Sequence, residues 1–184
     1  MTTADILSRA RQEKRAVLTE IEAKQILGEA GIECTRTVLA ASREEAVTIS
    51  EEIGYPVVLK VSSVDITHKS DAGGVKINLP DKEAVEKAYD EIMTSCRAYA
   101  PGAAIEGVSV QGMARAGTEI IMGMIKDGSF GPVVMFGLGG VLVEVLKDVS
   151  FRIVPIEHRD AVEMTSEIQG LSLIHISEPT RLKT

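Results

Sequence analysis

The distribution of glycines and apolar residues changes near residue 106, and this change limits the possible folds more than any other feature. Before it, apolar residues recur mainly at helical spacing. After it, glycines divide the chain into short apolar runs, at positions 117, 123, 128, 131, 137, 139 and 140, as in antiparallel strands joined by tight turns. Helices and strands in this order predict an α+β fold rather than a regular βαβ array.

Three helices are predicted in the first part of the chain. The first spans residues 19–30, with four apolar residues roughly on one face. The second begins at Ser42, whose hydroxyl is expected to form a capping box with Glu45, and ends before Gly54. The third begins after Pro80. Its apolar side is formed by Val85, Ala88, Tyr89, Ile92, Met93 and Cys96.

A short apolar strand at Pro56–Val61 is predicted to place Lys60 at the start of a loop, and Val75–Leu79 to return from it. The connection, residues 62–74, is long, and loops of this length in compact domains are usually functional. Further strands are predicted at Val108–Met113, Glu119–Ile125, Pro132–Phe136, Val141–Leu146 and Phe151–Pro155, followed by a helix around Arg159–Ile168.

That loop and the start of the return strand contain the most chemically informative residues of the chain: His68, Lys69, the pair Gly73–Gly74, and Lys76. Glycine lets a backbone approach an anion and present N–H donors, and lysine adds a point charge. The combination favours phosphate binding and phosphoryl transfer through His68. The alternative is a hairpin turn at the glycines and a solvated loop histidine.

Composition excludes some functions. The formal net charge of −7 and the lack of long Lys/Arg runs argue against nucleic acid or an anionic membrane as partner. Cys34 and Cys96 lack metal-binding or redox spacing and are expected to be reduced thiols of a cytoplasmic protein. The first fourteen residues lack an apolar signal-peptide core, so neither a signal peptide nor a membrane span is expected.

The last fourteen residues, 171–184, do not continue the pattern. Their Ile-His-Ile-Ser-Glu-Pro-Thr-Arg segment resembles the read-through of a sequencing adaptor, which predicts a non-native tail after residue 170. A genuine short C-terminal tail is the alternative, because exposed termini tolerate almost any sequence.

Three separated motifs, Gly54–Lys60, Asp65–Lys76 and Phe130–Gly140, resemble the ATP-grasp subunit or domain of the nucleoside-diphosphate-forming acyl-CoA synthetases. With Glu20-x-Glu22-Ala23-Lys24 and residues 144–149, the resemblance covers residues 1–170. It implies an ATP-grasp fold, in which two α/β subdomains grip a nucleotide. Residues 1–105 would form the first subdomain and residues 106–170 the start of the second, with the C-terminal part missing.

The resemblance also implies an acid–thiol ligase reaction, in which acid, CoA and ATP give acyl-CoA, ADP and phosphate through an acyl phosphate and a phosphohistidine. Lys60 would hold the nucleotide's phosphates, and His68 would carry the phosphoryl group on a moving loop. Lys69, Lys76, Gly73 and Gly74 would surround that group. A CoA-binding α subunit or fused domain would bind the small carboxylic acid and CoA, so this chain alone is expected to be inactive.

For the nucleoside, the resemblance implies that the strand containing Val110, Gln111 and Met113 reads the adenine edge with its backbone, while Glu119 binds a ribose hydroxyl. Gly112 stands where the family commonly has Glu, so one side-chain contact is absent. Glu119 has an alternative interpretation as an ordinary outward-facing carboxylate.

Glu144 and Asp148 are four residues apart in a strand-like run, so their side chains point to one face. They would support the site from behind or lie at an interface; a solvated face is the alternative. ATP-grasp enzymes place Mg²⁺ on a carboxylate and an asparagine near the end of the domain. Because the only asparagine is Asn78, the resemblance implies that the metal ligands lie in a missing C-terminal part.

Two other functions remain open. The first is a regulatory or degenerate ATP-grasp domain of a multidomain lysine acetyltransferase. The second is a biotin-carboxylase-like or peptide-ligase ATP-grasp enzyme. Enzymes of that second kind transfer phosphate directly to a carboxylate and have no use for a loop histidine, which disfavours them.

Overall fold

The computed structural model describes residues 2–140 and 148–170, which belong to two compact units divided between Arg115 and Ala116. The first unit contains a four-stranded antiparallel sheet in the order β1-β4-β2-β3. Its elements are α1 (Thr3–Gln12), α2 (Glu20–Glu29), β1 (Thr37–Ala40), α3 (Arg43–Ile53), β2 (Val57–Ser62), β3 (Val75–Leu79), α4 (Lys82–Tyr99) and β4 (Gly107–Gly112).

The sheet of the first unit has one apolar and one polar face. Val57, Leu59 and Val61 of β2 are fully buried, and they pack in one cluster with apolar residues of α3, α4 and β4. Since side chains alternate along a strand, Lys60 points to the opposite face. Ser109 of β4 pairs with Lys60 and shares that face. The predicted strand therefore forms, and it presents Lys60 away from the core.

Helix starts follow the predicted capping pattern with one difference. Ser42 accepts a hydrogen bond from the N–H of Glu45 at 3.1 Å, as a cap should. The Glu45 carboxylate accepts from the N–H of Ala41 instead of Ser42, so the predicted capping box is only half formed. Helix α1 was not predicted from the sequence, although Thr2 and Asp5 form a complete capping box at its start.

Helix α2 forms where it is predicted, but its buried residue is a carboxylate. Glu22 is 5% exposed, whereas Leu27 is 41% exposed. Arg9 of α1 and Arg15 donate hydrogen bonds to the Glu22 carboxylate at 2.6 to 2.9 Å. Paired charges can be buried where a lone charge cannot, and the ion pair between Arg9 and Glu22 links α1 to α2.

The second unit is a three-stranded antiparallel sheet in the order β5-β6-β7, covered by one helix. Its elements are β5 (Ile120–Asp127), β6 (Gly131–Leu138), β7 (Val149–Ile153) and α5 (His158–Glu167). They confirm the strands predicted to begin near residues 119, 132 and 151, and the final helix. The strand predicted at Val141–Leu146 lies outside the described residues.

The division between the units falls after Arg115 rather than near residue 105, because β4 pairs with β1 and β2 and completes the first sheet. In the second unit, Phe136 and Leu138 pack against Met164 and Ile168. Strand β5 contributes no buried residue to this small core. None of the helices in the described part of the chain is both long and apolar enough to cross a membrane.

Candidate functional site

Lys60 lies on the polar face of the first sheet, where it meets the N-terminal end of α2. Its Nζ donates a hydrogen bond to Oε1 of Glu20 at 2.8 Å. Glu20 is the first residue of α2, directly after the N-cap Thr19. Because the Thr19 cap fixes the start of the helix, the Glu20 side chain is held over the sheet beside Lys60.

Two further lysines share the same carboxylate. Lys24, one helical turn after Glu20, places its Nζ 3.0 Å from Oε1 of Glu20. The Nζ of Lys69, on the loop after β2, is 3.6 Å from Oε2. Glu20, Lys24, Lys60 and Lys69 together are called the Glu20 cluster below. Three amines and one carboxylate leave a local excess of positive charge, as an anion-binding site requires.

The lysines keep Glu20 ionised. Burial by itself raises the pKa of Glu20, but hydrogen bonds from Lys60 and Lys24 outweigh it and hold the pKa below its ordinary value. The carboxylate is therefore negatively charged at neutral pH.

Lys24 joins the Glu20 cluster to β4. Its Nζ lies 2.6 Å from Oε1 of Gln111, 2.9 Å from Oγ1 of Thr35 and 2.8 Å from Oγ1 of Thr37. Gln111, predicted to lie in the nucleotide site, is thus connected to Glu20 through a single ammonium group. Its side chain is held in place by Lys24 and by the Thr37 hydroxyl.

A cleft of about 430 Å³ opens beside the Glu20 cluster. It is lined by Glu20, Lys60, Thr67, His68, Lys69, Ser70, Asp71 and Val75. The predicted catalytic His68 and the predicted phosphate ligands Lys60 and Lys69 therefore share one cavity. His68 is exposed, so its imidazole is open to a reacting phosphoryl group.

The two loop glycines have a structural role in closing the loop. The N–H of Gly73 donates to the carbonyl of Ser70 at 3.0 Å, and the N–H of Gly74 donates to that of Lys69 at 2.7 Å. Both amides donate to carbonyls inside the loop, and the prediction that they face a phosphate stays a prediction. Gly73 has φ +66°, and a Cβ on Gly74 would lie 2.6 Å from Cγ1 of Val61. Tight loop closure is what requires these glycines.

The loop is anchored on both sides of its tip. Ile66 and Ala72 are 2% and 3% exposed, whereas His68 between them is exposed. Lys76 leaves the site, since it pairs in register with Leu59 of β2 and forms an ion pair with Glu91 of α4 at 2.5 Å. The part that can move without disturbing the core is the tip, which contains His68.

The backbone of Val110, which is predicted to read the adenine edge, lies between two paired strands. Val110 lies in the interior strand β4, opposite Val38 of β1 on one side and Leu59 of β2 on the other. Its backbone groups therefore face neighbouring strands rather than a ligand. Met113 follows the end of β4, is 42% exposed, and donates its N–H to the carbonyl of Pro56 at 3.3 Å.

Glu119 belongs to the second unit, whereas the Glu20 cluster belongs to the first. It directly precedes β5, and its carbonyl accepts a hydrogen bond from the N–H of Gly139 at 2.7 Å. The Glu119 side chain lies against Gly140, where a Cβ would be 2.6 Å from Oε2. Gly140 therefore leaves room for this carboxylate, and its predicted ribose contact stays a prediction.

Asp148 holds a backbone turn. Its Oδ1 accepts from the N–H of Gln169 at 3.1 Å and its Oδ2 from that of Gly170 at 2.6 Å. The alternative of a merely solvated carboxylate is therefore wrong for Asp148. Glu144 lies outside the described residues.

Mg²⁺ has no ligand set in the described ranges. Residues 2–140 and 148–170 contain no group of three or more His, Cys, Asp or Glu side chains that could hold a metal ion. Of the side chains that line the cleft, only those of Glu20 and Asp71 are carboxylates, the oxygen ligands that Mg²⁺ prefers.

Sequence reasoning missed the roles of Glu20 and Lys24. Their spacing of four residues on a helix is a signal for an ion pair, and Thr19 before them is a signal for a helix start. Neither signal shows that Lys60, forty positions away along the chain, meets the same carboxylate.

Comparisons with known proteins give a consistent result. A family model described as an ATP-grasp domain matches residues 9–180, a range that extends past Gly170 into the segment predicted to be non-native. The acetate–CoA ligase [ADP-forming] I subunit beta of Pyrococcus furiosus is 50% identical over 170 residues, which cover 92% of this chain and 73% of that protein.

Two solved structures of dinucleotide forming acetyl-coenzyme A synthetase 1 from Ca. Korarchaeum cryptofilum are similar in fold. One, in complex with coenzyme A, Ca-AMPCP and HgCl⁺, has a TM-score of 0.91 and 46% identity, covering 99% of this chain and 79% of that one. The other, with coenzyme A and Mg-AMPPCP, has its phosphohistidine segment pointing towards the nucleotide binding site. Its TM-score is 0.79 at 44% identity, with coverage of 95% and 74%.

Proposed function

Since the chain belongs to the ATP-grasp family, within the group of the ADP-forming acetate–CoA ligases, we propose that it passes a phosphoryl group between His68 and ADP or ATP. The overall reaction joins a small carboxylic acid to CoA, and ATP gives ADP and phosphate. The observation that carries this proposal is the cleft in which His68, Lys60 and Lys69 lie together.

The chemistry needs a nucleophile and positive charge, and the cleft has both. A neutral imidazole nitrogen of His68 attacks the terminal phosphorus of ATP. The bond from that phosphorus to the bridging oxygen breaks, and ADP leaves with the electron pair. Lys60 and Lys69 stabilise the negative charge on the transferred group. In the reverse direction, a terminal oxygen of ADP attacks the phosphorus on His68.

The proposed reaction also needs a partner. The carboxylate of the acid takes the phosphoryl group to form an acyl phosphate, and the CoA thiol then displaces phosphate from it. A CoA-binding α subunit or fused domain would hold both substrates. Two findings support this: the Pyrococcus relative is named as a subunit, and the Korarchaeum relatives were solved with coenzyme A.

The proposed site for the nucleoside lies beyond the end of β4. Met113 is exposed there, and we propose that the backbone near it reads the adenine edge. We also propose that the nucleotide binds together with Mg²⁺, because one Korarchaeum relative was solved with Mg-AMPPCP. Residues outside the described ranges would hold the metal, since no group of candidate ligands lies within those ranges.

The test is His68→Ala in the complete protein, together with its CoA-binding partner. This variant should abolish exchange of phosphate between acyl phosphate and ADP, because the carrier between the two half-reactions is lost. Phosphorylation of the partner's own active site from acyl phosphate should persist. His158→Ala is the matched control, since His158 is also exposed but lies on α5 of the second unit. Near-normal exchange in His68→Ala would reject His68 as the carrier.

A further inference from the structure

Glu20 is the only acidic residue of the described chain that is paired with lysines from three different segments. Its Oε1 faces Lys60 at 2.8 Å and Lys24 at 3.0 Å, and its Oε2 faces Lys69 at 3.6 Å. These lysines come from β2, from α2 itself, and from the loop that carries His68. One carboxylate thus links the proposed phosphate ligand to the loop of the proposed carrier.

The charges around the cleft show what this link does. Lys60 and Lys69 are the cationic residues among those that line it, and Glu20 and Asp71 are the acidic ones. The positive and negative charges of the lining therefore cancel while Glu20 stays between the lysines. A phosphoryl group that contacts both amines must replace the carboxylate, because the two anions would repel each other at hydrogen-bond distance.

Glu20 also has a second position available. Lys24 keeps Gln111, Thr35 and Thr37 as hydrogen-bond acceptors within 3 Å, so it stays in place when Glu20 moves. It lies on the same helix one turn later, where pairs four residues apart interact favourably. The carboxylate can therefore turn away from Lys60 and Lys69 and remain paired with Lys24.

We infer that Glu20 is a positioning residue that exchanges places with the phosphoryl group. Its carboxylate holds Lys60 and Lys69 together over the cleft, and phosphate replaces it as the partner of both amines. This inference rests on the proposed function. It gives Glu20 a definite effect on affinity, because an ionised carboxylate competes with every phosphate that enters. The competition weakens binding of ADP and so favours its release after each transfer.

The test is the affinity of the complete protein for ADP, measured by calorimetry with Mg²⁺ present. Glu20→Gln removes the charge and keeps the shape, so ADP should bind roughly 10-fold more tightly, the scale of one charge-assisted contact. A residue that only supports helix α2 would give unchanged or weaker binding when replaced. Glu52→Gln, a change of the same charge in an exposed pair with Arg36, should leave the affinity unchanged.

Glu20→Asp is the second variant. It keeps the negative charge, so it separates the effect of the charge from any effect of substitution at this position on the fold. Aspartate retains the competing carboxylate, so its ADP affinity should stay close to that of the wild type. Unchanged or weaker binding in Glu20→Gln, with helical content intact by circular dichroism, would overturn the inference. An equal increase in ADP affinity in Glu20→Gln, Glu20→Asp and Glu52→Gln would also overturn it.

The two proposals fail in different ways. If the wild type binds ADP and carries phosphate on His68, but Glu20→Gln does not bind ADP more tightly, only the inference about Glu20 is wrong. If the wild type binds no ADP and no phosphate appears on His68, the proposed function itself is wrong. Glu20→Gln could be too unstable to measure. In that case, weaker binding of ADP by Glu20→Asp than by Glu52→Gln would reject the inference that the Glu20 carboxylate competes with phosphate.

Discussion

Acid should weaken the attachment of α2, the helix that carries Glu20 and Lys24, because Glu22 loses its negative charge. A single variant tests this cause. The perturbation is Glu22→Gln. The Glu22 carboxylate accepts hydrogen bonds from Arg9 at 2.6 Å, from Arg15 at 2.8 and 2.9 Å, and from the N–H of Thr19 at 2.8 Å. Glutamine keeps the shape and one acceptor but loses the charge.

The magnitude follows from the pKa. Hydrogen bonds from Arg15 lower the pKa of Glu22 from 4.5 to about 2, although burial opposes them. Each pH unit of difference between the folded and unfolded pKa is worth ~1.4 kcal/mol, so the ionised form stabilises the fold by about 3 kcal/mol. Since the folded pKa is the lower one, this stabilisation is present above pH 4.5 and is lost as the pH falls towards 2.

The assay is urea unfolding followed by tyrosine fluorescence. The chain has three tyrosines and no tryptophan, and all three, Tyr55, Tyr89 and Tyr99, lie in the first unit. Glu22→Gln should be less stable by about 3 kcal/mol at neutral pH, and the difference from the wild type should close as the pH falls below 4.5. A difference that stays constant over this range, or is absent at neutral pH, would refute the reasoning.

Other variants test the site and its supports. Lys60→Ala should slow phosphoryl transfer by about 10²–10³-fold, the scale of one preorganised electrostatic contact, with only partial rescue in Lys60→Arg; unchanged turnover would contradict its role. Gly74→Ala should cost about 1–3 kcal/mol in urea unfolding through the clash with Val61. Asp148→Ala should cost about 1 kcal/mol in urea unfolding followed by circular dichroism, because the N–H groups of Gln169 and Gly170 lose their acceptor; the second unit has no tyrosine to report on this change.

Elements with strong local periodicity could be predicted from the sequence. Val85, Ala88, Ile92 and Cys96 recur at helical spacing, and all are buried in α4. Strand β2 was predicted with similar success, because a short β-branched run between a glycine and a long loop has few other interpretations. In both elements the information that selects the structure lies within the segment itself.

Short or polar elements could not be predicted. Strand β1 has only four residues, and its position depends on pairing with β4, more than sixty residues later. Helix α1 buries only Ile6 and Ala10, and it also forms an ion pair with Glu22 of α2 through Arg9. These elements depend on partners that are distant along the chain, and a local pattern does not reveal such partners.

The candidate site shows the same limit. The residue types of the loop correctly indicated that His68 and Lys69 lie in one cleft with Lys60. They did not indicate that the amides of Gly73 and Gly74 donate within the loop, because a sequence does not show which carbonyls accept them. The role of Glu20 depends on contacts with β2 and the loop, which only the folded chain brings together.

The most direct test of the central claim is to locate the phosphate on the protein. The complete protein is incubated with ATP and Mg²⁺, kept at alkaline pH where phosphohistidine is stable, digested, and analysed by mass spectrometry. The account predicts an acid-labile phosphate on His68 that is absent in His68→Ala and retained in His158→Ala. Phosphate on a different residue of this chain, or full turnover with no phosphate on His68, would contradict it.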